Sequence, residues 1–384
     1  MTRWGILTGE YPPQPGGVSD YTKMIAEGLA AAGDLVDIIA PGCEEIQGPS
    51  DKDILGKVRV HRLPNGFHYR NFGRVENILA AAGCDRVLLQ YVPHAFGWKG
   101  MNVPLARWVH DKLGPRLPVD VMFHEVVYPF SWYPLRYALL AQATVYMARQ
   151  IAAAADRIFV SIPAWGEVVH QLCPQVATTT WLPIPCNMPT TADSLNVTAV
   201  RESYGRNSPL IGHFGTYGKL VTDLLTPSLE SILAGNRVIH VLLLGRGSVD
   251  YRNAFVVKRP EVAERVHAVG TLSENAVASH LRACDVLLQP YPDGVSSRRS
   301  SVMPGLACGV AVVTNLGHLS EDFWSERGVA VASRPDPAEL ATKCLALLCD
   351  DLSRQRTATE GRQLYDESFT LERAISVLRD VKRQ

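Results

Sequence analysis

The sequence predicts an α/β protein built from two doubly wound, Rossmann-like domains in tandem. Three observations carry that prediction. Short β-branched runs alternate with helix-like amphipathic stretches along the whole chain, the pattern of βαβ units in a parallel sheet. The pattern halts and restarts across a proline-rich stretch near the middle. At 384 residues the chain also exceeds what one hydrophobic core usually serves.

In the first half, residues 4–8, 35–40, 58–63, 86–90, 119–123 and 157–160 read as strands, and 19–32 and 134–155 as helices. The second half repeats this pattern: strands at 210–214, 238–244, 266–269, 285–289, 310–314 and 329–331, with helices at 222–234, 273–283 and 337–349. Between the halves, Pro183, Pro185 and Pro189 remove backbone donors and stiffen the path, as a linker does. The expected organisation is a first domain over 1–185, a linker over 186–197, a second domain over 198–366 and a C-terminal helix over 367–384 that crosses back to the first domain.

Composition narrows the function. Lys plus Arg equals Asp plus Glu at 38 each, with no long run of like charge, which argues against nucleic acid as the main partner. The eight cysteines are scattered without a C-x-x-C pair, so neither a zinc site nor a disulfide framework is expected, and no metal site is assigned. A reducing cytoplasm fits this usage, and Met1 leads almost directly into a strand-like run rather than a secretion signal. The most apolar stretch, 137–160, is broken by Gln142, Arg149, Gln150, Asp156 and Arg157, which reads as a buried helix followed by a strand.

The most informative stretch is 284–315, CDVLLQPYPDGVSSRRSSVMPGLACGVAVVTN, read as strand, polar loop, short helix and strand. Loops at the carboxyl ends of strands are where open α/β sheets bind ligands. Ser296, Ser297, Arg298, Arg299, Ser300 and Ser301 offer hydroxyls, guanidinium groups and backbone amides suited to an anion such as a phosphate. A solvated loop whose arginines pair with surface carboxylates is the alternative. Pro304 places the helix start near Val302 or a kink there, either of which leaves the amides of 296–301 to face an anion.

Four further places carry chemistry. In the loop after the first strand, Gly16 and Gly17 permit a close turn into a helix that Ser19 or Asp20 caps, so that its N-terminus can receive a polar group. His124 and Glu125 follow the strand 119–123, where a histidine can exchange a proton with a hydroxyl near neutral pH; a hydrogen-bonded structural histidine is the alternative. The aromatic residues Tyr128, Phe130, Trp132 and Tyr133 beyond it suit stacking or packing. In the second half, IGHFGTYGK brings Gly215, Thr216, Gly218 and Lys219 to a helix start, and LLLGRGS sets Arg246 between two glycines without the third that a dinucleotide fingerprint needs.

Taken in order, GEYPPQPGGVSDYT, FHE, LPIPCNMP, HFGTYGK, LLLGRGS, VGTLSENAVASHLRACDVLLQPYPDG and LACGVAVVTN resemble the retaining glycosyltransferases of family 4. The resemblance covers nearly the whole chain and implies the GT-B fold, with the two Rossmann-like domains facing a central crevice. It implies metal-independent transfer of a sugar, with no cofactor, from a UDP- or GDP-linked donor to a glycan, lipid-linked or small-molecule acceptor. It also implies that Gly16 and Gly17 lie near the donor phosphate and acceptor, His124 near the donor sugar, and the basic residues after Gly215 at the diphosphate.

One departure is large. The family's two glutamates, with seven residues between them, fall here on Ser296 and Pro304, neither of which is a carboxylate, and Asp293 is the candidate substitute. The resulting expectation is a cytoplasmic glycosyltransferase, retaining by resemblance, in which Arg298, Arg299 and Lys219 compensate diphosphate charge. Asp20, His124 and Glu125 are the candidate bases if the reaction inverts. A catalytically silent sugar-nucleotide or glycan-binding protein and a sugar-nucleotide epimerase are the alternatives. Arg70, Arg74, Arg107, Lys112 and Arg116 are candidates for facing an anionic acceptor or the inner face of a membrane, with ordinary solvated helix faces as the other reading.

Overall fold

The structure, a computed structural model, describes residues 1–42, 56–129 and 135–380, and the chain divides into two compact units. Unit one is Met1–Ile184 with Leu371–Gln384; unit two is Pro185–Thr370.

Unit one holds β1 (Arg3–Thr8), α1 (Gly17–Ala31), β2 (Leu35–Pro41), β3 (Val58–Leu63), α2 (Phe72–Ala82), β4 (Arg86–Tyr91), α3 (Val103–Trp108), β5 (Val119–Phe123), α4 (Leu135–Ala154), β6 (Arg157–Val160), α5 (Pro163–Leu172) and β7 (Thr180–Trp181). Its sheet is parallel, in the order β3-β2-β1-β4-β5-β6-β7. The central strands β1, β2, β4 and β5 are buried on both faces: Ile6, Ile38, Leu88 and Met122 point to one apolar cluster, and Leu7, Ile39, Leu89 and Val121 to the other. At the amino ends of the strands, Asp120 is fully buried and receives bidentate bonds from Arg86 (2.7 and 2.8 Å) and Arg157 (2.7 and 3.0 Å).

Unit two holds α6 (Ser194–Tyr204), β8 (Leu210–Phe214), α7 (Lys219–Gly235), β9 (His240–Leu244), α8 (Ser248–Lys258), β10 (Val266–Gly270), α9 (Glu274–Arg282), β11 (Val286–Leu288), α10 (Met303–Ala307), β12 (Ala311–Asn315), β13 (Ala330–Ala332), α11 (Pro337–Cys349) and α12 (Asp351–Ser368). Its parallel sheet runs β10-β9-β8-β11-β12-β13. The last helix, α13 (Leu371–Arg379), packs on α1 in unit one: Ala374, Ile375 and Leu378 enter that core, and Arg379 Nε donates to Asp34 Oδ2 at 3.0 Å. Arg157 Nη2 anchors it further by donating to Leu378 O at 2.8 Å.

Helix α6 lies partly within the stretch expected to be linker, because the last proline there is Pro189 and Asp193 caps the helix, accepting from Leu195 N at 3.0 Å. Helix α10 starts at Met303 with Pro304 in its first turn, where no helical donor is needed. Among the described residues, no helix is long and apolar enough to cross a membrane. Phe130, Trp132 and Tyr133 lie outside the described residues.

Candidate functional site

Each sheet has one place where strand order reverses: between β1 and β4 in unit one, and between β8 and β11 in unit two. Ligands of open α/β sheets bind outside the carboxyl ends of the strands at such points. In unit two the loops that meet there are 215–218, 289–302 and 316–321.

Gln289 leaves β11 and donates its amide hydrogens to Phe214 O and Ser301 O, both at 3.0 Å, tying the loop to the end of β8. Tyr291 and Asn315 exchange bonds of 2.9 and 2.7 Å, and Val295 N donates to Asn315 O at 2.8 Å. At Gly294, φ is +89° and a Cβ would strike the backbone of Gly317, so only glycine passes. The loop 289–302 is thus a braced structure against β12.

Its charged groups are already engaged. Arg298 and Arg299 both form ion pairs with Asp293, and Arg299 lies over the Tyr291 ring, 4.8 Å from its centroid. Tyr291 OH and Ser301 Oγ share a 2.8 Å hydrogen bond, and burial pushes the phenol up to about 12. Ser296 is fully buried.

The expectation that the 296–301 amides face an anion is corrected at Ser297 and Arg299. Ser297 N donates to both oxygens of Glu321 (3.1 and 3.2 Å), its hydroxyl donates to the same carboxylate, and Arg299 N donates to Ser296 O at 2.9 Å. Trp324 Nε1 completes the cradle, 2.8 Å from Glu321 Oε2. Burial raises the Glu321 carboxyl above its ordinary value despite these donors. Glu321 is a residue the sequence reading missed; its partner lies 24 positions away, and no local spacing marks it.

The other expected basic positions are less enclosed. Lys219 is exposed and pairs with Asp223 one helical turn on, at 2.7 and 2.9 Å. Thr216 and Arg246 are exposed, while Gly215 is partly covered. Gly245 has φ +104° and its missing Cβ would collide with Gly215 O, so the turns after β8 and β9 touch backbone to backbone.

In unit one, α1 begins at Gly17 with Gly16 as its cap, and Ser19 and Asp20 lie in the first turn instead of capping it. Glu10 does that work: its Oε1 accepts from Val18 N and Ser19 N, both at 3.0 Å, and a Cβ on Gly16 would run into its carboxylate. The helix N-terminus expected to receive a ligand anion holds the chain's own anion. His124 sits at the end of β5, 8 % exposed, with Nε2 2.8 Å from Gln90 Oε1 on β4 and its ring edge-on to Tyr21. The amide oxygen only accepts, so Nε2 carries the proton. Burial lowers the His124 pKa to about 3, so the expected proton exchange near neutral pH gives way to a neutral, hydrogen-bonded ring. Asp20 is exposed and Glu125 partly so. Among the described residues, no three His, Cys, Asp or Glu side chains converge to hold a metal ion.

A family profile for a glycosyl transferase 4-like domain matches residues 16–183, and one for glycosyl transferases group 1 matches residues 208–350. The chain belongs to the family 4-like glycosyltransferases. No curated protein sequence matches it. Its fold is GT-B, shared with sucrose-phosphate synthase from Thermosynechococcus elongatus (18 % identity, TM-score 0.75, covering 100 % of this chain and 99 % of that one). HepE of Anabaena in complex with UDP-glucose (16 %, 0.68, 98 % of each chain) and WaaG, a glycosyltransferase involved in lipopolysaccharide biosynthesis (16 %, 0.67, 98 % and 100 %), are similar in the same way. At these identities the likeness establishes fold alone. This glycosyltransferase has no carboxylate at Ser296 or Pro304, and Asp293, placed to substitute, is bound to its two arginines.

Proposed function

We propose that this glycosyltransferase transfers a sugar from a UDP- or GDP-linked donor to an acceptor hydroxyl on a glycan, a lipid-linked glycan or a small molecule, in the cytoplasm, with retention and without a metal. The observation that carries this reading is the pair of guanidinium groups held by Asp293 at the reversal point of the second sheet. Together with that carboxylate they carry net charge +1, inside a loop braced on two strands. A donor diphosphate seated there exchanges places with Asp293 on the arginines. Charge grows on the diphosphate as the glycosidic bond breaks, and fixed guanidinium groups stabilise it where it develops.

His124, neutral at working pH, serves the donor sugar as a hydrogen-bonding partner, which supports delivery of the acceptor's proton to the leaving phosphate on the same face. Gly17, with open space where its side chain would stand, gives close backbone approach to a ligand after β1, while Gly215, Thr216, Lys219 and Arg246 border the diphosphate in unit two. Asp20 and Glu125 remain the bases for an inverting reaction. UDP-glucose bound to HepE supports the donor class. The vacant glutamate positions, Ser296 and Pro304, favour one second reading: a protein that binds the donor without transferring it.

The test is calorimetry and turnover with a panel of UDP and GDP sugars. The proposal expects binding of one donor, release of its nucleoside diphosphate with an acceptor present, and loss of binding in the Arg298→Ala, Arg299→Ala double variant. Unchanged affinity in that variant removes the arginines from the site. Binding without turnover across an acceptor panel selects the silent reading.

A further inference from the structure

The sheet of unit two ends in a histidine that none of the roles above uses. His213 is the fourth residue of β8, two positions before Gly215, and only 3 % of it is exposed. Its Nδ1 lies 2.7 Å from Leu288 O on the neighbouring strand β11. A carbonyl oxygen cannot donate, so Nδ1 carries the proton and Nε2 presents a lone pair. Burial lowers the ring's pKa to about 4, which keeps Nε2 an acceptor at neutral pH. Among the described residues no donor reaches that atom. The nearest hydroxyl-bearing ring, Tyr217, meets His213 edge-on at 5.2 Å but directs its OH to Leu244 O and His213 O.

A buried acceptor with no partner is unfavourable, and its presence at a ligand-binding strand end has chemical content. What stands beside it is a glycine, Gly215. The position a Cβ would take on Gly215 is 3.9 Å from His213 Nε2 and 4.0 Å from Ser301 Oγ, ordinary contact distances with nothing nearer than the Ser301 Cβ at 3.7 Å. Glycine at 215 therefore sets no side chain of its own against either group, so that a ligand seated over its bare Cα can approach both. Ser301 is fixed there from two sides, by Gln289 on its carbonyl and by Tyr291 on its hydroxyl.

We infer that His213 is a specificity-determining contact: over Gly215 its Nε2 accepts a hydrogen bond from a hydroxyl of the bound nucleotide sugar, alongside Ser301. The inference rests on the donor-binding reading above. A ligand that offers a donor at this point satisfies an atom the protein leaves unsatisfied; one that offers an ether, a deoxy carbon or another acceptor does not. Sites of this kind discriminate strongly, because the wrong ligand leaves a buried polar group unpaired.

The ring's two nitrogens separate the tests. His213→Asn keeps a donor for Leu288 O and removes the Nε2 acceptor; His213→Gln places an amide oxygen near the Nε2 position. The wild type and both variants are titrated calorimetrically with UDP, GDP, UDP-glucose and GDP-mannose, and their melting temperatures are recorded. The expected result is a H213N protein that melts close to wild type and binds the accepted nucleotide sugar about tenfold more weakly, with H213Q recovering part of the loss. A loss shared by the free nucleotide assigns the hydroxyl to the ribose, and one confined to the sugar nucleotide assigns it to the transferred sugar. Gly215→Ala, which sets a methyl group against both side chains, is expected to show the same loss and carries the test if H213N does not fold. Wild-type affinity in H213N or, in that case, in G215A overturns the inference while leaving the donor-binding reading intact. Failure of the wild type to bind any of the four ligands overturns both.

Discussion

Replacing Asp293 with asparagine should tighten the binding of a nucleoside diphosphate. Asp293 holds both Arg298 and Arg299, each about a fifth exposed, so the three groups together present one net positive charge to an approaching ligand. Asparagine keeps the side chain's size and removes its charge, which leaves two. A phosphate seated on the guanidinium groups would lie about 7 Å from the lost carboxylate, where a unit charge contributes about 2.4 kcal/mol at an effective dielectric of about 20. Partial exposure and salt reduce this by about half, leaving about 1 kcal/mol, or about a fivefold gain in affinity. Calorimetric titration with UDP and GDP at low and moderate salt reads it, and the gain should shrink as salt rises. Weaker binding in D293N, with its melting curve intact, would refute the exchange of Asp293 for phosphate and assign Asp293 to orienting the arginines.

Three other outcomes follow from the geometry. Asp120→Ala removes the buried carboxylate that Arg86 and Arg157 share at the strand ends opposite the ligand loops, leaving Arg86 its bond to Asp156 and Arg157 its backbone bonds; it should lower stability by about 3 kcal/mol by denaturant unfolding while leaving nucleotide affinity at low temperature unchanged. Glu321 binds its proton more tightly folded than unfolded, so its contribution is fully present below the ordinary carboxyl value of 4.5 and is lost as pH rises through the raised folded value; E321Q should flatten that decline in melting temperature against pH. His124, with a pKa near 3, cannot produce a rate limb near pH 6.5, so His124→Asn should lower the rate yet retain any such limb, and its disappearance would restore His124 as the base.

Much of the architecture was legible because buried parallel strands are largely apolar runs, and β5, β6 and β8 occupy the positions those runs mark. Strand β7 was not, since two residues, Thr180 and Trp181, make no run. Helix α12 was equally opaque: of its 18 residues only Gly361, Leu364 and Tyr365 are buried, so no apolar stripe shows. The candidate site was legible as positions and not as states. The glycine turns and the arginine loop lie at the reversal points, where their places after strands put them. That Glu10 would occupy the α1 amides and Glu321 the Ser297 amide follows from tertiary approach across 8 to 24 residues, which no local spacing encodes. His213 was hidden for a related reason, because a histidine inside an apolar run reads as core until its two nitrogens are seen to have different surroundings.

Amide hydrogen exchange with and without a saturating nucleotide sugar reports whether the loops after β8 and β11 hold the donor. Slowed exchange is expected at Gly215, Thr216 and Lys219 and along Asp293 to Ser301, with the nucleoside diphosphate alone reproducing most of it. Protection confined to other segments, with these two loops unchanged at saturation, would contradict that expectation.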